Sequence, residues 1–518
     1  MTDAKMMKNQ IDPAPGLEKC FLFDAVEDRY EIPGISGRVP EWLRGDYTVN
    51  GPARFERSGF RYKHWLDGDG MVCALRFHED GVRFTSRFVG TPKLREEDQA
   101  GRFLYRGFGT AFAGDRLHRG VMLEPPVNVS VYRFAGRLLA FGEQTLPIEL
   151  DADTLETRGE FDFHSKLNEV SPFAAHPKFD PVSGHLFNFG ISFAAANPVL
   201  TLYEFDAHAH LLRRARFPIG LPHSIHDFGL SARHAVFFLS PLLMDFGKFL
   251  NQGASVMESL RWEPDRGSHL LIVPRGPRGP RGPRGPRVPS ESRSNESINV
   301  AVGRGYCLHL INCFESESVL TVDILELDAP VYGEYQTIPD LFSTVAPCRP
   351  VRYRVNLETG KLVDRVAMAY DRTPDFPSID PARAGADYSD FWMLGIAEAG
   401  QPGRKFFNQL ARGEWLHGDS LLGNIGRDKA VHGEVTQIYQ VGRGEYLGGE
   451  PVFAANPENP HEAVVIVQHF DTSAVGPDGH AACEFLIFDA FDVQEGPIAR
   501  LPLRHRIHPG FHASFHFA

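Results

Sequence analysis

Four histidines stand where they contribute little to a hydrophobic core: His176 in AAHPKFDP, His226 in HSIHDF, His309 in CLHLINCFE and His512 in HPGFHASF. Each lies beside a turn former, a carboxylate or an amide. They are spread from position 176 to position 512, so neither a zinc-finger spacing nor a helical HxxxH pair links them. Brought together, four neutral imidazoles make a metal site without an anionic ligand. Such a site suits iron, copper, zinc or nickel by ligand softness, and residue type alone does not choose among them.

An imidazole that binds a metal needs its other nitrogen fixed, and a carboxylate accepting that N–H does so. Three carboxylates stand in suitable strand or turn contexts. Glu143 follows the apolar run RLLAF and is expected to be buried and partnered. Asp375 in PDFP and Glu450 in GGEPVF sit beside prolines and aromatics. Spacing tests the other histidines. His223 precedes His226 by three, so on a strand the two face opposite sides and only one can be a ligand. His505, His508, His512 and His516 imitate a helical stripe, but Pro509 and Gly510 break any helix there. The chain has 22 histidines, so the four stand out only as a set.

The elements that must position them read as strands. Short runs rich in Val, Ile and Phe recur between turn formers: VCALRFHEDGVRFTSRFV, RLLAFGE, HLFNFGISF, HAVFFLSP, AVVIVQHF and CEFLIFDAF. Glycine-centred hairpins, HEDGVRF and NLETGKLV, join some of them. Long amphipathic helical windows are scarce. Many short strands along one chain of 518 residues point to an all-β propeller or a large sandwich. No clean repeat of about 40–50 residues is visible, so the blades of a propeller would be diverged.

Composition narrows the function. Hydrophobic residues make up 42% of the chain, enough for a large core. A net charge of −12 argues against a nucleic-acid partner. Forty phenylalanines fit either a Phe-packed core or an apolar tunnel for a long ligand. The six cysteines form no CxxC and no disulfide framework. Residues 1–16 carry no apolar leader and are expected to be disordered, leaving 17–518 as one β-propeller domain. With no apolar stretch long enough to span a bilayer, the expectation is a cytoplasmic monomer. Residues 274–289, PRGPRGPRGPRGPRVP, read as a basic surface loop, or as a contact for an anionic membrane. Residues 237–262 read as a buried cap helix, or as an apolar rim touching a membrane peripherally.

A family resemblance adds to this reading. HWLDGDGMVCALRF (64–77) and GDYTVNGP (45–52) look like the N-terminal signature of the carotenoid cleavage oxygenases. AAHPKFDP, HDF, HLINCFE and GFHASF resemble that family's four ligand segments in the right order, and GEPVF (449–453) and ELD (149–151) also match. The resemblance covers residues 17 to 518. It implies a seven-bladed β-propeller with a helical and loop cap, and Fe(2+) on the propeller axis. By the same resemblance His176, His226, His309 and His512 bind the iron. Glu143, Asp375 and Glu450 then orient His226, His309 and His512, while His176 lacks a carboxylate partner. Asp375 departs from the family, which commonly has Glu there. One methylene less shortens the reach by about 1.5 Å, so a bridging water or a shifted backbone is expected. HEAVV (461–465) replaces a customary acidic turn and is expected to alter a loop only.

The implied reaction is Fe(II)-dependent cleavage of a conjugated C=C bond by O2, giving two carbonyl products from a long apolar carotenoid or apocarotenoid. Phe511 and Leu308, each preceding a ligand, are expected to wall the substrate tunnel. Stilbene-cleaving relatives carry a Lys beside the first supporting Glu to grip a phenolate. Here that neighbour is Gly142, which favours a carotenoid over a stilbenoid. Other readings are a metal-dependent propeller lactonase or hydrolase, a non-catalytic carotenoid binder and a retinoid isomerohydrolase.

Overall fold

The computed structural model describes residue 12 and residues 14–168, 170–192, 197–276, 297–335, 338, 340–416 and 432–518. Seven antiparallel sheets of four or five strands form the blades of a β-propeller. Blades 2 to 6 are simple up-and-down sheets whose innermost strands are Ser130–Phe134, Lys178–Phe179, Gly229–Leu230, Tyr306–Ser316 and Asp375–Ser378. Blade 7 starts on the axis with Glu445–Asn456, and its outer edge is the early strand Ser36–Gly37. Blade 1 takes its innermost strand, Ala513–Phe517, from the end of the chain and its other four from residues 28–88. Both ends of the chain therefore complete blades begun elsewhere. This closes the ring and leaves sheet edges on the outside of the blades.

Burial follows position in the blade. Nearly every residue of Tyr306–Ser316 is buried, whereas the outer strand Lys361–Ala367 alternates exposed and half-buried. The hydrophobic core is laid down between blades. Phe187, Phe189, Phe228 and Phe237 fill one such layer, and Val322, Tyr353 and Val351 belong to another. The expected hairpins form, Asp69–His78 pairing with Gly81–Phe88 and Asn356 pairing with Lys361.

Over the axis lies a cap of loops with a few short helices. Among the described residues the α-helices are Pro92–Ala100, Phe246–Asn251 and Val256–Ser259, and none is long and apolar enough to cross a membrane. Residues 237–262 are not one buried helix. They finish the strand His234–Leu239, then form the hairpin Leu242–Met244/Leu260–Trp262 around two short helices. Pro241 and Gly253, the latter with a φ of 70°, stand outside the two helices and break any longer one. HEAVV lies in the strand Asn459–Val475 rather than in a loop.

Most of the basic repeat, residues 277–289, lies outside the described residues, as do residues 1–11 and 13. Residues 14–16 were expected to be disordered but are held down. Ala14 is buried, and the Pro15 carbonyl accepts from Tyr446 Oη at 2.8 Å.

The two N-terminal signatures brace the site. In GDYTVNGP, Asn50 Nδ2 donates to the carbonyls of Val127 and Ser130, and the Asn50 amide donates to the His512 carbonyl. A Cβ on Gly51 would stand 2.6 Å from Gly510 Cα, so only glycine lets the HPGFH loop approach. In HWLDGDG, buried Asp67 accepts from the Gly109 amide and Thr110 Oγ1, and Trp65 packs on Phe511 with ring centroids 4.6 Å apart.

Candidate metal centre

The four histidines lie at the beginnings of innermost strands, in blades 3, 4, 5 and 1. His176 and His226 precede Lys178–Phe179 and Gly229–Leu230, and His512 directly precedes Ala513–Phe517. His309 sits within its strand where the register with the next strand slips between Cys307 and Leu310. Such a bulge re-aims a side chain, here toward the axis. One nitrogen from each ring lies within 4.8 Å of those from the other three. His176 Nε2 and His226 Nε2 are 2.8 Å apart. Two nitrogens about 2.1 Å from a common ion and at right angles would be separated by about 3 Å.

Three carboxylates from the remaining blades stand behind this ring. Glu143, in the turn after Arg137–Phe141 of blade 2, places Oε1 2.7 Å from His226 Nδ1. Asp375 of blade 6 accepts from His309 Nδ1 at 2.5 Å. Glu450 of blade 7 accepts from His512 Nδ1 at 3.2 Å and from the Ala513 amide at 3.1 Å. Seven blades thus present four imidazoles and three carboxylates to one axis. Glu143 is not buried as expected, because its turn leaves the side chain 37% exposed. Asp375 needs no bridging water. The strand loses register between Asp375 and Ser378, and Phe376 takes a left-handed φ of 54°, which brings the shorter side chain into direct contact.

The electrostatics differ among the rings. Burial, and then the neighbouring imidazoles, push His176 and His512 well below the ordinary histidine range, so both are neutral. Burial also works to lower His226, but Glu143 outweighs it and the net shift is upward. Burial raises the Glu450 carboxyl to about 7. For Asp375 burial acts upward and His309 outweighs it, leaving the group below its usual value. His309 Nε2 is buried without a hydrogen-bond partner. A buried polar atom with no partner is costly, and a cation among four neutral donors removes that cost. The donor set therefore fits a divalent transition metal.

Other residues flagged in the sequence take different places. His223 Nδ1 donates to the Ser240 carbonyl, 2.7 Å away, and does not join the ring. His508 stacks on Phe23 with centroids 4.0 Å apart. Phe511 and Leu308 are both buried, and Phe511 stacks on Phe376, whose ring lies 5.4 Å from that of His512.

Two residues beside the ring had not been singled out. Asp227 follows His226 and is buried, and Lys178 reaches its Oδ1 at 2.7 Å. Asp227 Oδ2 accepts from the Leu310 amide at 2.9 Å. The signal was present, since Asp227 and Lys178 lie one and two positions after ligands. Below the ring the innermost strands enclose a cavity of ≈ 470 Å³ whose lining includes Lys178, Asn312, Glu450 and Ser514.

Comparison with known proteins fits this geometry. The chain is 28% identical to apocarotenoid-15,15'-oxygenase from Synechocystis sp., over 94% of this chain and 93% of that one. It is 25% identical to lignostilbene-alpha,beta-dioxygenase isozyme III from Sphingomonas paucimobilis, over 93% and 92% of the two chains. It is also 25% identical to isoeugenol monooxygenase from Pseudomonas nitroreducens, over 92% and 93%. Crystallised cobalt-substituted apocarotenoid oxygenase of Synechocystis superposes with a TM-score of 0.81 at 24% identity, covering 98% of this chain and all of that one. The model of the family described as retinal pigment epithelial membrane protein matches residues 23–516. The chain belongs to that family, which holds the carotenoid cleavage oxygenases.

Proposed function

We propose that His176, His226, His309 and His512 bind one Fe(II), and that the protein uses O2 to cleave a conjugated C=C bond of a carotenoid or apocarotenoid into two carbonyl products. One observation carries this reading: four imidazole nitrogens converge on the axis with every carboxylate one layer further out. Neutral donors leave the full 2+ charge on the metal. When bound, ferrous iron supplies a site at which dioxygen is activated toward an electron-rich alkene.

The protein's own contribution is to hold and to exclude. Glu143, Asp375 and Glu450 fix the rings through their Nδ1 atoms, so that each Nε2 faces the axis. Phe376 packs against the His309 and His512 rings and Phe511 stacks on Phe376, and with buried Leu308 they would supply the apolar surface that keeps water from the reacting alkene. A lactonase-type site would place carboxylates directly on the metal, and here they stand behind imidazoles.

Gly142 bears on the substrate class. A Cβ there would stand 2.8 Å from Val127 Cα, so the backbone leaves no room for a phenolate-gripping side chain. This supports an apocarotenoid over a phenolic stilbene. The test pairs metal analysis with oxygen uptake, using an apocarotenal and 4-hydroxystilbene side by side. Stoichiometric iron with uptake on the apocarotenal supports the proposal. Uptake on the stilbene alone would reverse the substrate assignment, and iron-free protein active in hydrolysis would overturn the reaction.

A further inference from the structure

His226, His309 and His512 each have a carboxylate within 3.2 Å of Nδ1. His176 does not, since the carboxylate oxygen near its Nδ1, Asp227 Oδ1, is 4.0 Å away. That oxygen is already engaged by Lys178 Nζ at 2.7 Å and by the Phe228 amide at 2.8 Å. The other oxygen accepts from the Leu310 amide at 2.9 Å. Asp227 therefore ties together three strands, and each contact falls one or two residues after His176, His226 or His309. Its side chain is 2% exposed, while that of Lys178 is 29% exposed and faces the cavity beneath the ring.

We infer that Asp227 and Lys178 form a charge-compensated clamp under the metal, in which the carboxylate positions His176 relative to His226 and His309 and the ammonium cancels the negative charge that the metal would otherwise feel. Both are positioning residues. Three ligands are backed by carboxyl groups in contact with Nδ1, whereas the fourth stands 4.0 Å from a neutral ion pair. Removing either partner leaves a net charge within one layer of the ion, of opposite sign in the two cases. A clamp that served only to hold the strands would give losses of the same sign from either end.

The inference rests on the four-histidine metal site, so the test begins with the wild-type chain. Co(II) is titrated into metal-free protein and followed by its visible d–d absorption, with the Fe(III)/Fe(II) potential of the iron-loaded protein as the second readout. No Co(II) binding by the wild type would sink the metal site itself, not the clamp alone. Given binding, Asp227→Asn exposes the metal to the uncompensated Lys178 and weakens Co(II) binding by ~10–100-fold, the scale of a lost outer partner, with a raised potential. Lys178→Met leaves the anion, so Co(II) affinity is unchanged or tighter and the potential falls. The double variant returns affinity to within a few fold of wild type, and Lys178→Arg keeps both readouts. Equal losses from both single variants, with no recovery in the double, would overturn the proposal. If Asp227→Asn does not fold, Lys178→Met decides alone: a weaker Co(II) site with an unchanged potential rejects the compensation.

Discussion

Two of the dense polar clusters buried in the chain are built to opposite rules. In blade 1 and its flanking helix, Lys93 Nζ bonds Asp69 at 2.7 Å and Glu97 at 2.9 Å, and Arg57 reaches Asp69 at 3.2 Å. Glu97 also accepts from the amides of Leu104 and Tyr105. Charges of both signs interlock, and nothing from outside is needed. On the axis, four imidazoles face one another with nitrogens that cannot all satisfy each other, and His309 Nε2 has no hydrogen-bond partner among the described residues. In the first cluster every charge meets one of opposite sign within the protein, although Arg57 Nε makes no hydrogen bond; in the second, like donors face one another and only a ligand satisfies them. Burial alone does not separate them, since Lys93 and His309 are both buried. What separates them is where the donors and acceptors point.

The largest effects should therefore fall on different observables. His512→Ala removes one of four donors. Metal affinity should fall by more than the ~10–100-fold scale of a lost supporting carboxylate, and turnover should fall to background. Added iron should no longer raise the melting temperature, because a ligand stabilises only the state that binds it. Metal analysis and melting curves with and without iron check this. Lys93→Met should do the reverse. It leaves buried Glu97 without its close cation and Asp69 with Arg57 alone, and should cost about 3–5 kcal/mol of stability, read by denaturant unfolding. The iron content of the protein that remains folded should be unchanged. A loss of metal in Lys93→Met would break the comparison, since it would make the two clusters one system.

The supporting carboxylates give the next effect in size. Glu143→Gln, Asp375→Asn and Glu450→Gln keep the shapes but lose the charges, and each should weaken metal binding by ~10–100-fold, measured by Co(II) titration. Asp375→Glu sharpens the point. The strand already bulges to bring the shorter side chain within 2.5 Å of His309, so a longer one is displaced rather than better placed. It should bind metal more weakly than the wild type, although the family resemblance implies glutamate at this position.

Much of this was legible in the sequence, and the reasons differ by residue. The strands showed themselves because Val-, Ile- and Phe-rich runs between turn formers have few other uses. The histidines were legible as a set, and their pairing with Glu143, Asp375 and Glu450 followed from the resemblance. The direct Asp375 contact was not legible, because a left-handed φ at a phenylalanine has no sequence signature. The half-exposure of Glu143 was missed for a related reason: an apolar strand before a residue says nothing of the turn that follows. Asp227 and Lys178 were overlooked because each was read as the flank of a ligand rather than as a residue with its own partner.

A third cluster gives the smallest effect and the cleanest contrast with the axis. His469 is buried with both ring nitrogens occupied, Nδ1 by Glu484 at 2.9 Å and Nε2 by Glu445 at 3.0 Å. It offers nothing to a metal, so its role should appear only as pH-dependent stability. Burial works to lower its pKa, but the two carboxylates outweigh it and the net shift is upward. The hydrogen bond from His469 lowers Glu445; in Glu484 burial acts upward and His469 outweighs it. A raised histidine stabilises fully below its unfolded value of about 6.5, and that share fades as pH rises through the folded value. Lowered carboxylates stabilise fully above about 4.3, and that share fades as pH falls through their folded values. The triad thus contributes most between about pH 4.3 and 6.5. His469→Gln should lower the melting temperature by about 1–2 °C in that window and by less at pH 9 or at pH 3, with metal content unchanged throughout. A deficit of equal size at every pH would mean that packing, rather than the paired charges, is what this histidine supplies.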